Sequence, residues 1–122
     1  MSVARERLLT NALRRELPPL YATESEQDPV VWAKLFTPWT NWTWYVLEYD
    51  GEDLCFGLVD GFEAEMGYFS VSELEAIDGP YGLKIERDLQ FQPTPLSKIR
   101  TKINAKRARD PASRPPSAER ER

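Results

Sequence analysis

Residues 43–59 read TWYVLEYDGEDLCFGLV, two apolar runs, 43–49 and 54–59, around the polar tetrad Asp50-Gly51-Glu52-Asp53. Aromatic and β-branched residues suit a pleated, half-buried surface. An Asp-Gly pair between two such runs signals a hairpin, because glycine accepts the positive φ of a tight turn. The stretch therefore predicts an antiparallel β-hairpin. Strand alternation places Trp42, Trp44, Val46 and Glu48 on one face and Thr43, Tyr45, Leu47 and Tyr49 on the other. Both faces are largely apolar, so this strand is expected at the centre of a sheet, covered on one side and partly on the other.

Working outward from the hairpin, VVWAKLF (30–36) reads as a further strand, broken by Thr37-Pro38. Upstream, Leu9, Leu13 and Leu17 recur at helical spacing, Thr10 is a candidate cap, and Pro18-Pro19 ends the helix because neither proline has an N–H to donate. Downstream, Asp60-Gly61 makes a second tight turn into a strand around 64–69. Ser70-Val71-Ser72-Glu73 is a capping box opening a short helix in which Leu74 and Ile77 face inward. IERDLQF (85–91) reads as a last strand or extended segment. Pro93 and Pro95 mark a domain edge, giving an α+β domain over 1–97, single and small, with a mainly antiparallel sheet and two or three short helices. Residues 98–122 form a basic tail. Leu96, Ile99 and Ile103 at helical spacing support a helix over 96–107, followed by a disordered end.

Composition narrows the chemistry. The chain has 122 residues, one cysteine and no histidine. An intramolecular disulfide, a Cys–His pair, a Ser–His–Asp triad and the common zinc sites are thereby excluded. Cys55, between Leu54 and Phe56, reads as a small buried hydrophobe. No apolar run is long enough for a membrane span, and the N-terminus lacks the apolar core of a signal peptide, so no membrane association and a cytoplasmic location are expected. Charge is unevenly placed. Residues 41–90 hold twelve acidic groups against Lys84 and Arg87, net −10, whereas residues 91–122 hold nine basic groups against three acidic, net +6. An acidic body with a basic end is the main electrostatic fact.

Three groups of residues bear on function. Three of the four tryptophans fall in FTPWTNWTWYVLEYDG (36–51). Core packing explains most of these rings, since each buried aromatic removes about 150–250 Å² from water. A stacking platform for single-stranded nucleic acid needs a basic groove around the rings, and residues 35–83 contain no Lys or Arg. Trp39 and Trp42, flanking the turn, are expected to be the exposed pair. Asp60, Glu63 and Glu65, with Glu73 and Glu75, form the densest acidic group. They read as a solvated acidic face or, alternatively, as carboxylates for acid–base or Mg²⁺ chemistry. No catalytic residue, metal ligand set or cofactor motif emerges. Lys98, Arg100, Lys102, Lys106, Arg107 and Arg109 are the candidates for neutralising phosphates, against the alternative of a solubilising end folded back on the acidic body.

The blocks PPLYATE, FTPW-x-NWTWY, FGLVDGFE-x-E-x-GYFS and ERDL-x-F-x-PTPL together resemble a family of short bacterial proteins of unknown function. That family is carried on plasmids, integrative elements and phages, often near antirestriction genes. The resemblance spans about residues 8–97 and brings no catalytic residues. It implies a mobile-element accessory protein. The leading expectation is a non-enzymatic, protein-binding module with an acidic surface, countering host defence, whose partner-binding residues are Trp39, Trp42, Asp60, Glu63 and Glu65. The partner is then a host or element-encoded protein. The alternatives are a nucleic-acid-binding accessory factor working through the basic tail and exposed aromatics, and a metal-dependent enzyme built on Asp60, Glu63 and Glu65.

Overall fold

The computed structural model describes residues 7–109; of the disordered end expected after 107, residues 108–109 are helical and the part from 110 onward lies outside the described residues. The hairpin forms as the sequence predicts. Strands β3 (Thr43–Tyr49) and β4 (Leu54–Asp60) are joined by a turn in which Gly51 has φ +90° and the Asp50 carboxylate accepts from the amides of Glu52, Asp53 and Leu54. Those amide bonds, from Asp53 and Glu52 first, hold the Asp50 carboxyl below its ordinary range. Strand β5 (Ala64–Ser70) pairs with β4 along its whole length, and β2 (Ala33–Phe36) pairs with β3. A two-residue strand, β6 (Glu86–Arg87), closes the far edge. The result is a five-stranded antiparallel sheet in the order β5-β4-β3-β2-β6.

The run 30–36 is not one strand. It divides at Trp32 into β1 (Val30–Val31), which pairs with β7 (Thr94–Pro95) in a separate two-stranded sheet, and β2. IERDLQF contributes only β6. Its remainder is irregular because Asp88 turns the chain, accepting from Gln90 N and pairing with Lys34 at 3.8 Å.

Both faces of the sheet are covered. One packs on Leu8, Leu9 and Leu17, on Val71 and Leu74 of helix α2 (Val71–Ala76), and on Ile85. Helix α1 (Asn11–Glu16) starts at its expected cap, with Thr10 Oγ1 accepting from Leu13 N at 3.1 Å. The serine half of the capping box also forms, Ser70 Oγ accepting from Glu73 N at 3.1 Å, whereas the Glu73 carboxylate does not return the bond to Ser70 N. Asp53 reinforces the cap from the β3–β4 turn by accepting from Ser70 Oγ, Ser72 Oγ and Ser72 N, and the Ser70 hydroxyl chiefly depresses its carboxyl. The opposite face is covered by helix α3 (Leu96–Arg109), whose Leu96, Ile99 and Ile103 bury against Val31, Tyr45, Leu47 and Leu58. At about 1.5–3 kcal/mol per buried aliphatic side chain, that stripe is enough to fix the helix. Its start is tied down by Leu96 N to Pro29 O at 2.9 Å and by Asp28, which accepts from Ser97 N and Oγ. The domain therefore continues through Arg109 and does not end at residue 97.

One correction concerns β3. The register with β4 shifts between Val46, opposite Gly57, and Glu48, opposite Phe56, so Leu47 is an extra residue in a β-bulge. Simple alternation holds to Leu47 and then reverses. Glu48 joins Tyr45 and Leu47 on the α3 side, and Tyr49 joins Trp44 and Val46 in the other core. The bulge brings the β3 backbone so close to Gly57 that a Cβ there would lie 1.8 Å from the Tyr45 carbonyl oxygen.

Candidate interaction surface

Glu48 is charged in sequence and 3% exposed in the structure. Having been turned inward by the bulge, it accepts from Tyr21 N at 2.7 Å, Thr23 N at 2.9 Å and Thr23 Oγ1. It thus holds the Pro18–Glu24 loop, including Tyr21 at φ +71°, against the sheet. A buried carboxylate with three donors is satisfied, and its role is structural.

The other acidic residues divide by the same accounting. Asp50 and Asp53 build turns and caps. Glu75 accepts from Leu8 N at 3.0 Å, Asp60 binds Arg107, Asp78 binds Lys84, and Asp88 binds Lys34. The side chains of Glu52, Glu63, Glu65, Glu73 and Glu86 engage no hydrogen bond or ion pair among the described residues, and all five are exposed. Four of them line one side of the molecule: Glu63 and Glu65 at the head of β5, Glu73 just beyond its foot, and Glu52 in the turn that Asp53 ties to α2. Glu86 lies on β6 at the opposite edge.

Of the expected partner-binding residues, the structure does not bring all five together. Asp60 pairs with Ala64 and Glu65 with Val59. Ala64 packs toward α3 and Val59 toward the other core, so Asp60 and Glu65 project from opposite faces. Asp60 is also committed, lying 2.5 Å from Arg107 Nη2, whose guanidinium additionally donates to Gly61 O at 2.9 Å and Phe62 O at 3.1 Å. No group of three His, Cys, Asp or Glu side chains suited to a metal ion occurs among the described residues. Trp39 and Trp42 are half-buried rather than exposed. Each ring lies on a glycine: a Cβ at Gly79 would sit 2.7 Å from Trp39, and one at Gly61 would sit 2.5 Å from Trp42. Trp42 also meets Phe62 edge-on at 5.5 Å, and Phe62 itself is 87% exposed.

The basic candidates lie on α3, which carries six cations and no acid. At 100° per residue, Lys98, Lys102, Lys106 and Arg109 share an arc of about 80° on one flank, and Arg100 and Arg107 lie on the other. Lys106 borders an open groove of about 500 Å³ with Trp42, Phe36, Asn41 and Lys34. Arg100 borders a second groove of about 400 Å³ with Tyr21, Phe56, Met66 and Tyr68. The residues of this second groove were missed in sequence. Ala64, Met66 and Tyr68 alternate with Glu65, Gly67 and Phe69, but the pattern alone does not say which face lacks a cover. The Tyr68 phenol is raised above its ordinary value, first by its hydrogen bond with Tyr21.

The whole is a small antiparallel sheet clasped between helices, with exposed glutamates beside its β5 edge and a basic helix on one face. The chain belongs to the family described as "Protein of unknown function (DUF2958)", whose model matches residues 2–109 and so takes in α3 as well as the sheet. Neither a curated protein nor a solved structure matches it. No helix among the described residues is long and apolar enough to cross a membrane.

Proposed function

We propose that the protein is a non-enzymatic interaction module whose acidic β5 side binds a basic surface of another protein, encoded by the host or by a mobile element. In this reading it is an accessory factor of such an element that counters host defence by occupying a groove otherwise used for nucleic acid. The observation that supports it most is the division of the carboxylates. The fold consumes Glu48, Asp50, Asp53, Asp60 and Glu75 internally, yet leaves Glu52, Glu63, Glu65 and Glu73 unpaired along one side. Unpaired carboxylates at both ends of one sheet edge make its field negative, and such a field speeds encounter with a basic surface. The test is capture of partners from host lysate by tagged protein, with and without nuclease. A stoichiometric protein that survives nuclease is expected; capture abolished by nuclease rejects the reading.

One observation favours a second reading, a nucleic-acid-binding accessory factor. Lys106 and Trp42 border one groove, with Lys98, Lys102 and Arg109 continuing the basic flank. Single-stranded DNA held there would stack on Trp42 and neutralise about four phosphates, so log K would fall with log salt at a slope near −3. A flat salt response rejects this alternative.

A further inference from the structure

Five of the six glycines are explained inside the fold: Gly51 and Gly82 by positive φ, Gly57, Gly61 and Gly79 by close contact with Tyr45, Trp42 and Trp39. Gly67 has neither reason. Its φ is ordinary, and a Cβ would meet nothing within 4 Å. It stands at the middle of β5, the edge strand, and no described strand pairs with the outer side of β5. Glycine in a strand interior weakens the strand and commonly marks the close approach of another backbone or a ligand. An edge of seven residues is also long to leave as a free row of N–H and C=O groups.

The two faces along this edge differ. Toward α3, Met66 and Tyr68 are exposed, Tyr68 to 51%, and the Tyr68 ring lies 4.9 Å from Phe56, forming an apolar strip beside Tyr21. Toward the other face stands Glu65, with Glu63 just ahead of the strand, while Glu24 and Glu26 border the Tyr68 groove on the α3 side together with Arg100. A strand added here would set alternate side chains against Met66 and Tyr68 and the intervening ones against Glu65 and the open space at Gly67.

We infer that the β5 edge is a docking site for an extended segment of a partner protein, which pairs as a sixth strand and alternates apolar with cationic side chains. This rests on the interaction-module reading and names the partner's form. Charge complementarity selects a cationic segment over a second copy of this chain, whose corresponding edge is itself acidic. The chain's own residues 110–122 do not fit the apolar strip, since they contain no Val, Ile, Leu, Met, Phe, Tyr or Trp.

The test selects binders from a phage-displayed library of random dodecapeptides against the full-length protein. It then measures the enriched peptides by fluorescence anisotropy on wild type, Gly67→Val and Tyr68→Ala. Expected are peptides alternating apolar residues with Lys or Arg, amide protection of residues 64–70 on binding, and weakening of roughly tenfold or more by Gly67→Val. Gly67→Val should melt no lower than wild type, so lost binding would not reflect lost fold. Peptides without the alternation, binding untouched by Gly67→Val, or a dimer that protects β5 in the absence of peptide would each overturn the inference. If Gly67→Val still captures the nuclease-resistant lysate partner, the edge proposal falls while the interaction-module reading stands.

Discussion

The substitution Gly57→Ala should cripple the fold, and Gly67→Ala, directly opposite it in the β4–β5 register, should not. At Gly57 the new Cβ would lie 1.8 Å from the Tyr45 carbonyl oxygen, 2.9 Å from its carbon and 3.2 Å from Leu47 N. Contacts below 3.0 Å are not tolerated, so β3 and β4 must separate by more than 1 Å at the bulge. Both neighbours are backbone at the centre of the sheet, where no side-chain rotation brings relief. Losing the two or so ladder hydrogen bonds around the bulge costs about 1 kcal/mol each. Misplacing the buried Tyr45 and Leu47 adds about 1–3 kcal/mol. The sum, about 3–5 kcal/mol, is a large part of the roughly 5–15 kcal/mol that holds an ordinary domain. At roughly 4 °C per kcal/mol, the melting temperature should fall by at least about 12 °C. Gly67→Ala should instead gain up to about 1 kcal/mol, because alanine loses less chain entropy in a strand. Calorimetric melting of the two variants decides it. Equal melting temperatures would refute the bulge geometry and the account of both glycines.

Three other outcomes follow from the same structure. Glu48→Gln should lower stability by about 1–3 kcal/mol, because the amide turns a donor toward one of three donors that the carboxylate now satisfies; a denaturant midpoint equal to wild type would contradict the latch. The hydroxyl and then the amide of Ser97 hold the Asp28 carboxyl below its ordinary value. Its contribution is therefore complete above the ordinary carboxylate range and is lost as pH falls through the lowered folded value. Protection of amides 96–109, measured relative to their intrinsic exchange rates, should fall on acidification, and in Asp28→Asn it should be lower already at neutral pH. Burial, then the nearby Asp50 and Asp53, pushes the Cys55 thiol up to about 12. It should resist iodoacetamide at pH 8 in the native protein and react only after denaturant is added.

The hairpin was legible because TWYVLEY, Asp50-Gly51 and LCFGLV agree with one another at the level of propensity, turn chemistry and pattern. The caps at Thr10 and Ser70 were legible for a similar reason, each being a local contact between residues three apart. What escaped depends on distant chain. Leu47 bulges between Val46, opposite Gly57, and Glu48, opposite Phe56, and that shift of register moves Glu48 from one face to the other. The break at Trp32 exists because Val30 and Val31 pair with Thr94 and Pro95, more than sixty positions away. The helix at 96–109 was visible as Leu96, Ile99 and Ile103, but its docking depends on the apolar α3-side face that Tyr45, Leu47 and Leu58 assemble. Of the candidate site, the acidic total was plain in the sequence. Which carboxylates the fold consumes was not, since Asp60 finds Arg107 across 47 positions and Glu75 finds Leu8 N across 67.

The most direct test of the acidic-side account replaces Glu52, Glu63, Glu65 and Glu73 together by glutamine, which takes residues 41–90 from net −10 to net −6. Wild type and variant are compared for nuclease-resistant capture of partner protein from lysate, with melting measured alongside. Because none of the four side chains is used inside the described fold, the variant should melt within about 2 °C of wild type. It should also lose the captured partner. Undiminished capture by a variant that melts normally would contradict the account.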